Sequence, residues 1–507
     1  MSFGRTASLT LGLLLAAAEL RAETCPAPPA APGAPPAVHC TEPPPVTADL
    51  SEPPLFGEKD GLFYFRDPHD IVRLYPHSEV NLDGHGFFHE TTRPTSEQVL
   101  ADLGPHFLVR HAIFNLSGEL FKTFSFDAGF DLVANPAVDG ARADGRQTRV
   151  ALTDAWGAVD AGRGFWLRAG VFAAPYSLEN TTRVADLGLL ERTTATRFVV
   201  PGNRLLGVSL GGSTLNDRFR MDAGAFGMET LTPGEFDRIF DGILRFTWRP
   251  GARAGKPEDQ LVALGASGRM GSRNRRDNAN DLPALTTSQG LALWKPFWLD
   301  PDGTLVHAIG SGTQYVFGGE LRVPARGFAL TGEFNYLYRN TMEIPESAPN
   351  TTLRKGNMRG TTSYLELSFW PLQLFGLIDG YPPVRGKYPK KDHLEVASVN
   401  VLPERYGLEV TLLASHVLMH YDAASRFGAP DPYAPPGHIA TWQLSAGAAY
   451  WQTERFKLAF NFNWYVVPQG RLSTNGADVP GNAAQPGNHD PTADWVGEAA
   501  FRFAARF

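Results

Sequence analysis

Four places in the chain hold residue types at spacings that could do chemistry. Gly207-Val208-Ser209-Leu210-Gly211 has the spacing of a nucleophile elbow, which needs a serine on a sharp strand-to-helix turn. Here Leu206, Val208 and Leu210 alternate with Gly207, Ser209 and Gly211, so a strand with small residues on one face is expected. That context gives Ser209 no catalytic role, and no enzyme activity is expected. His85 and His89 stand four apart beside Glu90, within reach of a shared metal ion on one strand face. No third ligand follows, so a loop or rim pair is expected, with neither metal nor cofactor. Arg273-Asn274-Arg275-Arg276 lies in polar, turn-rich sequence and reads as an external loop, solvated or touching anionic lipopolysaccharide. Cys25 and Cys40 could close one disulfide in an oxidising compartment or remain two unpaired thiols; without histidine partners they do not suggest zinc.

The elements around these residues point out of the cytoplasm. Residues 1–22 read as a secretory signal, with Arg5 as the basic head and Leu9–Ala18 as an apolar core too short to span a bilayer as a helix. Residues 23–54 are proline-rich and read as a semi-rigid periplasmic tether. No later apolar run reaches the ~18 residues a spanning helix needs. A net charge of −7 argues against a basic nucleic-acid-binding face. Mean hydropathy of −0.20 excludes a helical membrane bundle but not a barrel, whose strands are apolar on one face only.

From about Leu62 onward, period-two alternation recurs between turn clusters. Phe124, Phe126, Ala128, Phe130 and Leu132 share one face; Ser125, Asp127, Gly129 and Asp131 share the other. Phe328, Leu330, Phe334, Tyr336 and Tyr338 oppose Thr331, Glu333, Asn335 and Arg339. Phe456, Leu458, Phe460, Phe462 and Trp464 oppose Lys457, Asn461, Asn463 and Tyr465. The last strand sets Trp495, Phe501, Phe503 and Phe507 against Glu498, Arg502 and Arg506, and its terminal phenylalanine is the kind read during outer-membrane insertion. Aromatic faces opposed by faces with charges of both signs fit a transmembrane antiparallel β-barrel with a wet interior better than a soluble sandwich. With ~10 membrane residues per strand and ~18 more per connection, residues 55–507 make about 16 strands. The register assigns Arg220, Arg245, Arg322, Arg339, Lys457, Arg502 and Arg506 to the lumen. It places Glu119, Asp127, Asp131, Asp222, Glu320, Glu333, Glu366, Glu409 and Glu498 there too, a mixture that is not uniformly anion-selective.

The stretch 165–212 resembles the phosphate-selective porin O/P family. The counterparts, in order, are Gly170, Phe172, Pro175, Tyr176, Glu179, Thr181, Thr182, Glu191, Arg192, Pro201, Gly202, Arg204, Gly207 and Val208. Residues 107–132 look like the family's early strand pair and Asn463-Trp464-Tyr465 like its late strand. Where the family has glutamine and lysine, this chain has Val171 and Ala173, so one basic contact is missing. The resemblance implies a homotrimer of 16-stranded barrels in the bacterial outer membrane, each with a constriction loop folded into its pore. It also implies that Arg183, Arg192, Arg197 and Arg204 line the constriction, where guanidinium forks suit phosphate. The same arginines could instead brace the loop against Glu179, Asp186 and Glu191. The expected function is passive diffusion of small hydrophilic solutes, with phosphate or other anions as the implied substrates. The alternative is a non-porin barrel with a structural or surface role.

Overall fold

The computed structural model describes residues 55–59, 62–88, 105–134, 149–162, 164–182, 184, 187–200, 204–214, 218–227, 240–251, 262–273, 282–289, 292–294, 297–299, 305–325, 327–345, 347–348, 352–375, 407–421, 425–426, 429–430, 438–453, 456–467 and 495–506. The expected signal (1–22) and tether (23–54), with both cysteines, lie outside the described residues, as do Arg183, His89, Glu90 and residues 274–276.

Sixteen strands form the wall. They are β1 (Val72–Phe88), β2 (His106–Leu120), β3 (Phe124–Ala134), β4 (Arg149–Gly162), β5 (Phe165–Phe172), β6 (Leu205–Thr214), β7 (Phe219–Gly227) and β8 (Phe240–Trp248). They continue as β9 (Ala263–Arg273), β10 (Leu305–Ala325), β11 (Phe328–Pro345), β12 (Arg354–Phe369), β13 (Gly407–Tyr421), β14 (His438–Thr453), β15 (Phe456–Val466) and β16 (Trp495–Arg506). Each pairs antiparallel with the next in sequence, and β16 pairs back onto β1 with Arg502 opposite Asp83. Closure leaves no free sheet edge along the paired lengths, which a strand in lipid cannot tolerate. A short hairpin, Phe56–Lys59 with Leu62–Arg66, precedes the barrel.

Most connections at one end of the barrel are short, although 249–262 and 370–406 at that end are longer. Residues 121–123 make a tight turn there, and only two residues separate β4 from β5, β10 from β11 and β14 from β15 at the same end. Longer connections such as 89–105, 173–204, 274–304 and 467–494 leave from the other. Outer-membrane barrels keep short turns on the periplasmic side, which orients the chain.

The wall has two chemically distinct faces because side chains alternate along a strand. On β8, Phe240, Leu244, Phe246 and Trp248 are exposed, while Asp241, Ile243, Arg245 and Thr247 are buried inside. On β15, Leu458, Phe460, Phe462 and Trp464 face out; Lys457, Asn461, Asn463 and Tyr465 face in. An apolar exterior around a charged interior is stable only where the exterior meets hydrocarbon. Close strand approach needs glycine at Gly170 (φ 131°), where a Cβ would fall 2.6 Å from the Trp156 Cα.

Candidate solute pathway

The connection from β5 to β6, residues 173–204, is folded first upon itself. Ser177 caps the single-turn helix α1 (Leu178–Thr181), its hydroxyl accepting from Asn180 N at 3.2 Å. Thr193 caps α2 (Thr194–Val199), accepting from Thr196 N at 3.1 Å. Glu179 joins the two turns: its carboxylate accepts from Thr193 N (2.9 Å) and the Thr193 hydroxyl (2.7 Å). Arg192 closes the fold from the other direction, donating to the carbonyls of Glu179, Asn180 and Thr182. Burial pushes the Glu179 carboxyl up, opposed by hydrogen bonds from Thr196 and Thr193. Burial pulls Arg192 down to about 10, with Arg204 adding to that pull and Glu179 and Glu191 working against it.

Wall side chains then hold this connection from many directions. Lys457 donates to Leu187 O (3.0 Å) and Arg502 to Leu190 O (2.7 Å). Glu191 receives Arg502 at 2.7 Å and Arg110 at 3.1 Å, while Arg502 also forks onto Asp83. Burial alone would raise the Glu191 carboxyl, but Arg110 and Arg502 outweigh it and hold it well below the usual range. Thr194 donates through N and Oγ1 to Gln443 Oε1, both at 2.9 Å. Across the barrel, Tyr176 donates to Asn335 (2.8 Å), Glu179 N to Glu333 (2.7 Å), and Arg245 to Thr181 (2.9 Å). Bonds to β2, β8, β11, β14, β15 and β16 place these residues inside the barrel.

A second connection, from β9 to β10, also turns inward, which the sequence reading did not anticipate. Its short pair Leu285–Thr286 and Ala292–Trp294 lies against α2. Arg197 donates to the carbonyls of Thr287 (2.6 Å) and Ser288 (3.2 Å), tying the two inward segments together. Ser288 bonds Tyr465 through its N at 2.8 Å and Glu498 through its hydroxyl. Leu282, Leu285, Leu293 and Trp294 pack with Phe198 and Val199, and with wall residues Ile243, Leu337, Val417 and Tyr465, in one apolar cluster. Apolar residues in a loop otherwise read as external were the available signal.

The expected lumen residues divide by what they touch. Arg192 is engaged by its own loop and Arg197 by the second segment. Arg204 pairs with Asp154 on β4 (3.1 Å). Arg220 forks onto Asp222 and lies over the Trp166 ring; Arg245 pairs with Glu320 at 2.8 Å. Lys457 lies over Trp451, and Arg322 and Arg502 are buried on the inner face. Glu119, Asp127, Asp131, Asp222, Glu320, Glu333, Glu366, Glu409 and Glu498 occupy inward positions, with Glu320 directly opposite Glu333.

One basic group was missed. Arg269 and Arg273 both pair with Asp241 on β8, and Gln314 donates to the same carboxylate. Arg339 faces this cluster, and its Nε has no hydrogen-bond partner among the described residues. The expectation of a solvated external loop from Arg273 is therefore corrected at that residue: it ends β9 and is buried against Asp241. Ser209 lies mid-strand on β6, paired with Gly224 and Arg168, so the elbow turn is absent. His85 is a buried inner-face residue on β1, stacked edge-on to Phe87. Among the described residues no group of three or more metal-ligating side chains occurs.

Residues 94–289 match the family described as phosphate-selective porin O and P. No curated protein matches the sequence. OmpT of Vibrio cholerae is 9% identical, over 86% of this chain and 98% of its own, with a TM-score of 0.47. The outer membrane channel DcaP of Acinetobacter baumannii is 9% identical over 87% and 99%, with a TM-score of 0.45. An anion-selective porin from Comamonas acidovorans is 10% identical over 86% and 100%, with a TM-score of 0.42. The closed sixteen-strand wall and its apolar exterior make this chain a bacterial outer-membrane β-barrel of porin type, and its residues 94–289 match the phosphate-selective porin O and P family.

Proposed function

We propose that the barrel lets small hydrophilic solutes diffuse passively across the outer membrane, with inorganic phosphate and other small anions preferred. The observation that carries this reading is the crossing of a polar, charged lumen by residues 173–204, held to six strands by named bonds. Such a crossing sets width and charge limits on what passes, and no covalent step is involved. The anion preference rests on the basic group at β8, β9 and β11. Among the described residues, Arg269 and Arg273 both pair with Asp241 and Arg339 faces them, which gathers three guanidinium groups at one place on the inner wall. Arg192, Arg197 and Arg204 act mainly as struts, because their described bonds go to the protein itself. Glu320, Glu333, Glu366 and Glu409 oppose a strong preference. A homotrimer, with lipopolysaccharide around its outer rim, completes the proposal.

Reversal potential under a salt gradient, with phosphate added as a blocker, tests the solute assignment. Anion preference with phosphate block is expected; cation preference without block would refute it. A second reading, a barrel plugged for a structural role, is favoured by the apolar cluster joining both inward segments to the wall. Conductance separates the two.

A further inference from the structure

The hairpin before the barrel carries an aromatic face that the sixteen strands do not require. Its register pairs Phe56 with Phe65, so these two share a face, and Phe63 lies two residues from Phe65 on that same face. All three rings are exposed, yet they contact one another: Phe56 and Phe63 stack at 6.3 Å and Phe56 tilts onto Phe65 at 5.3 Å. Tyr64 points the other way, toward Tyr75 on the inner face of β1, and Gly57 leaves room for its ring.

Position gives this face its meaning. The hairpin joins β1 at Phe65 opposite Leu74 and Arg66 opposite Arg73. β16 pairs with β1 only from Glu79 onward, because it ends at Arg506. The hairpin therefore pairs at the part of β1 that the closing strand leaves uncovered. Through Leu74, an outer-face residue, its aromatic side continues the barrel's lipid-facing surface.

The loop that follows supplies an ionic boundary. Asp70 is bonded by Arg73 (2.5 Å) and Lys122 (2.9 Å), and Phe121 N donates to Ile71 O at 2.7 Å. Phenylalanines beside paired ions at the periplasmic rim have the layering of a bilayer boundary, apolar rings toward hydrocarbon and charges toward headgroups.

We infer that Phe56, Phe63 and Phe65 form a membrane-docking face that seats the barrel's N-terminal hairpin in the periplasmic phospholipid leaflet. A nitroxide label at Phe63→Cys, and separately at Phe65→Cys, tests this in the full chain with Cys25→Ser and Cys40→Ser. The protein is placed in phosphatidylethanolamine–phosphatidylglycerol vesicles, and heat-modifiable gel mobility verifies folding. Labels at Phe460→Cys and Tyr64→Cys serve as lipid-facing and inward references. Oxygen collisions should outnumber those with a water-soluble nickel complex at 63 and 65, as at 460 and unlike 64. Nickel collisions in excess would overturn the inference by placing the hairpin in water. Immobilised labels shielded from both reagents would overturn it in favour of a second copy of this chain. Either labelled position suffices if the other variant does not fold.

Discussion

Glu191 shows how one side chain holds the crossing segment. Its carboxylate is shared between Arg110 on β2 and Arg502 on β16, strands that flank β1. The two guanidiniums keep its folded pKa below the ordinary 4.5. A carboxylate shifted this way stabilises the folded arrangement above its unfolded pKa and loses that contribution as pH falls. Glu179 is shifted upward by burial, so its contribution runs the other way, present at low pH and lost as pH rises. Single-channel recordings should therefore grow noisier as pH falls below about 4. Glu191→Gln should be noisy already at neutral pH and lose that acid response; an unchanged acid response in Glu191→Gln would remove Glu191 from the account. None of these pairings was legible in the sequence. Glu191 meets partners 81 and 311 residues away, and Arg204 meets Asp154, 50 residues away. Sequence alone shows that charges are present, but long-range packing decides which of them meet.

At the scale of the strand, the local pattern carried more. β3, β11, β15 and β16 follow the alternation of their residues, because a one-residue slip would turn every charge into lipid. β9 was hidden because Gly265, Gly268 and Gly271 dilute its alternation. The register of β1 against β2 shifts between Asn81 and Leu82, which turns Arg110 inward against a simple period of two. The inward packing of Leu282, Leu285, Leu293 and Trp294 depends on apolar contacts with α2, β8, β11, β13 and β15, none of them local. The two faces of a strand should respond oppositely to the same substitution. Phe460→Arg puts a cation toward lipid, at a cost of ~2–4 kcal/mol near the bilayer centre, and should reduce the folded, heat-modifiable fraction. Phe462→Leu, on the same face, should leave that fraction unchanged. Equal tolerance of Arg and Leu on this face would contradict its assignment to lipid.

Taken whole, the molecule is a closed wall with two connections folded through its interior. The wall accounts for residence in the outer membrane, and the connections decide whether anything passes. Polar and charged side chains line much of the interior, as a water-filled path requires. The apolar cluster formed by α2 and residues 282–294 opposes that path. Current through the purified, folded protein in a planar lipid bilayer weighs these two features directly. Discrete, stable conductance steps, growing when residues 282–294 are replaced by a short glycine-serine bridge, are the predicted result. A folded barrel that never conducts, with or without that segment, would contradict the assignment as a porin.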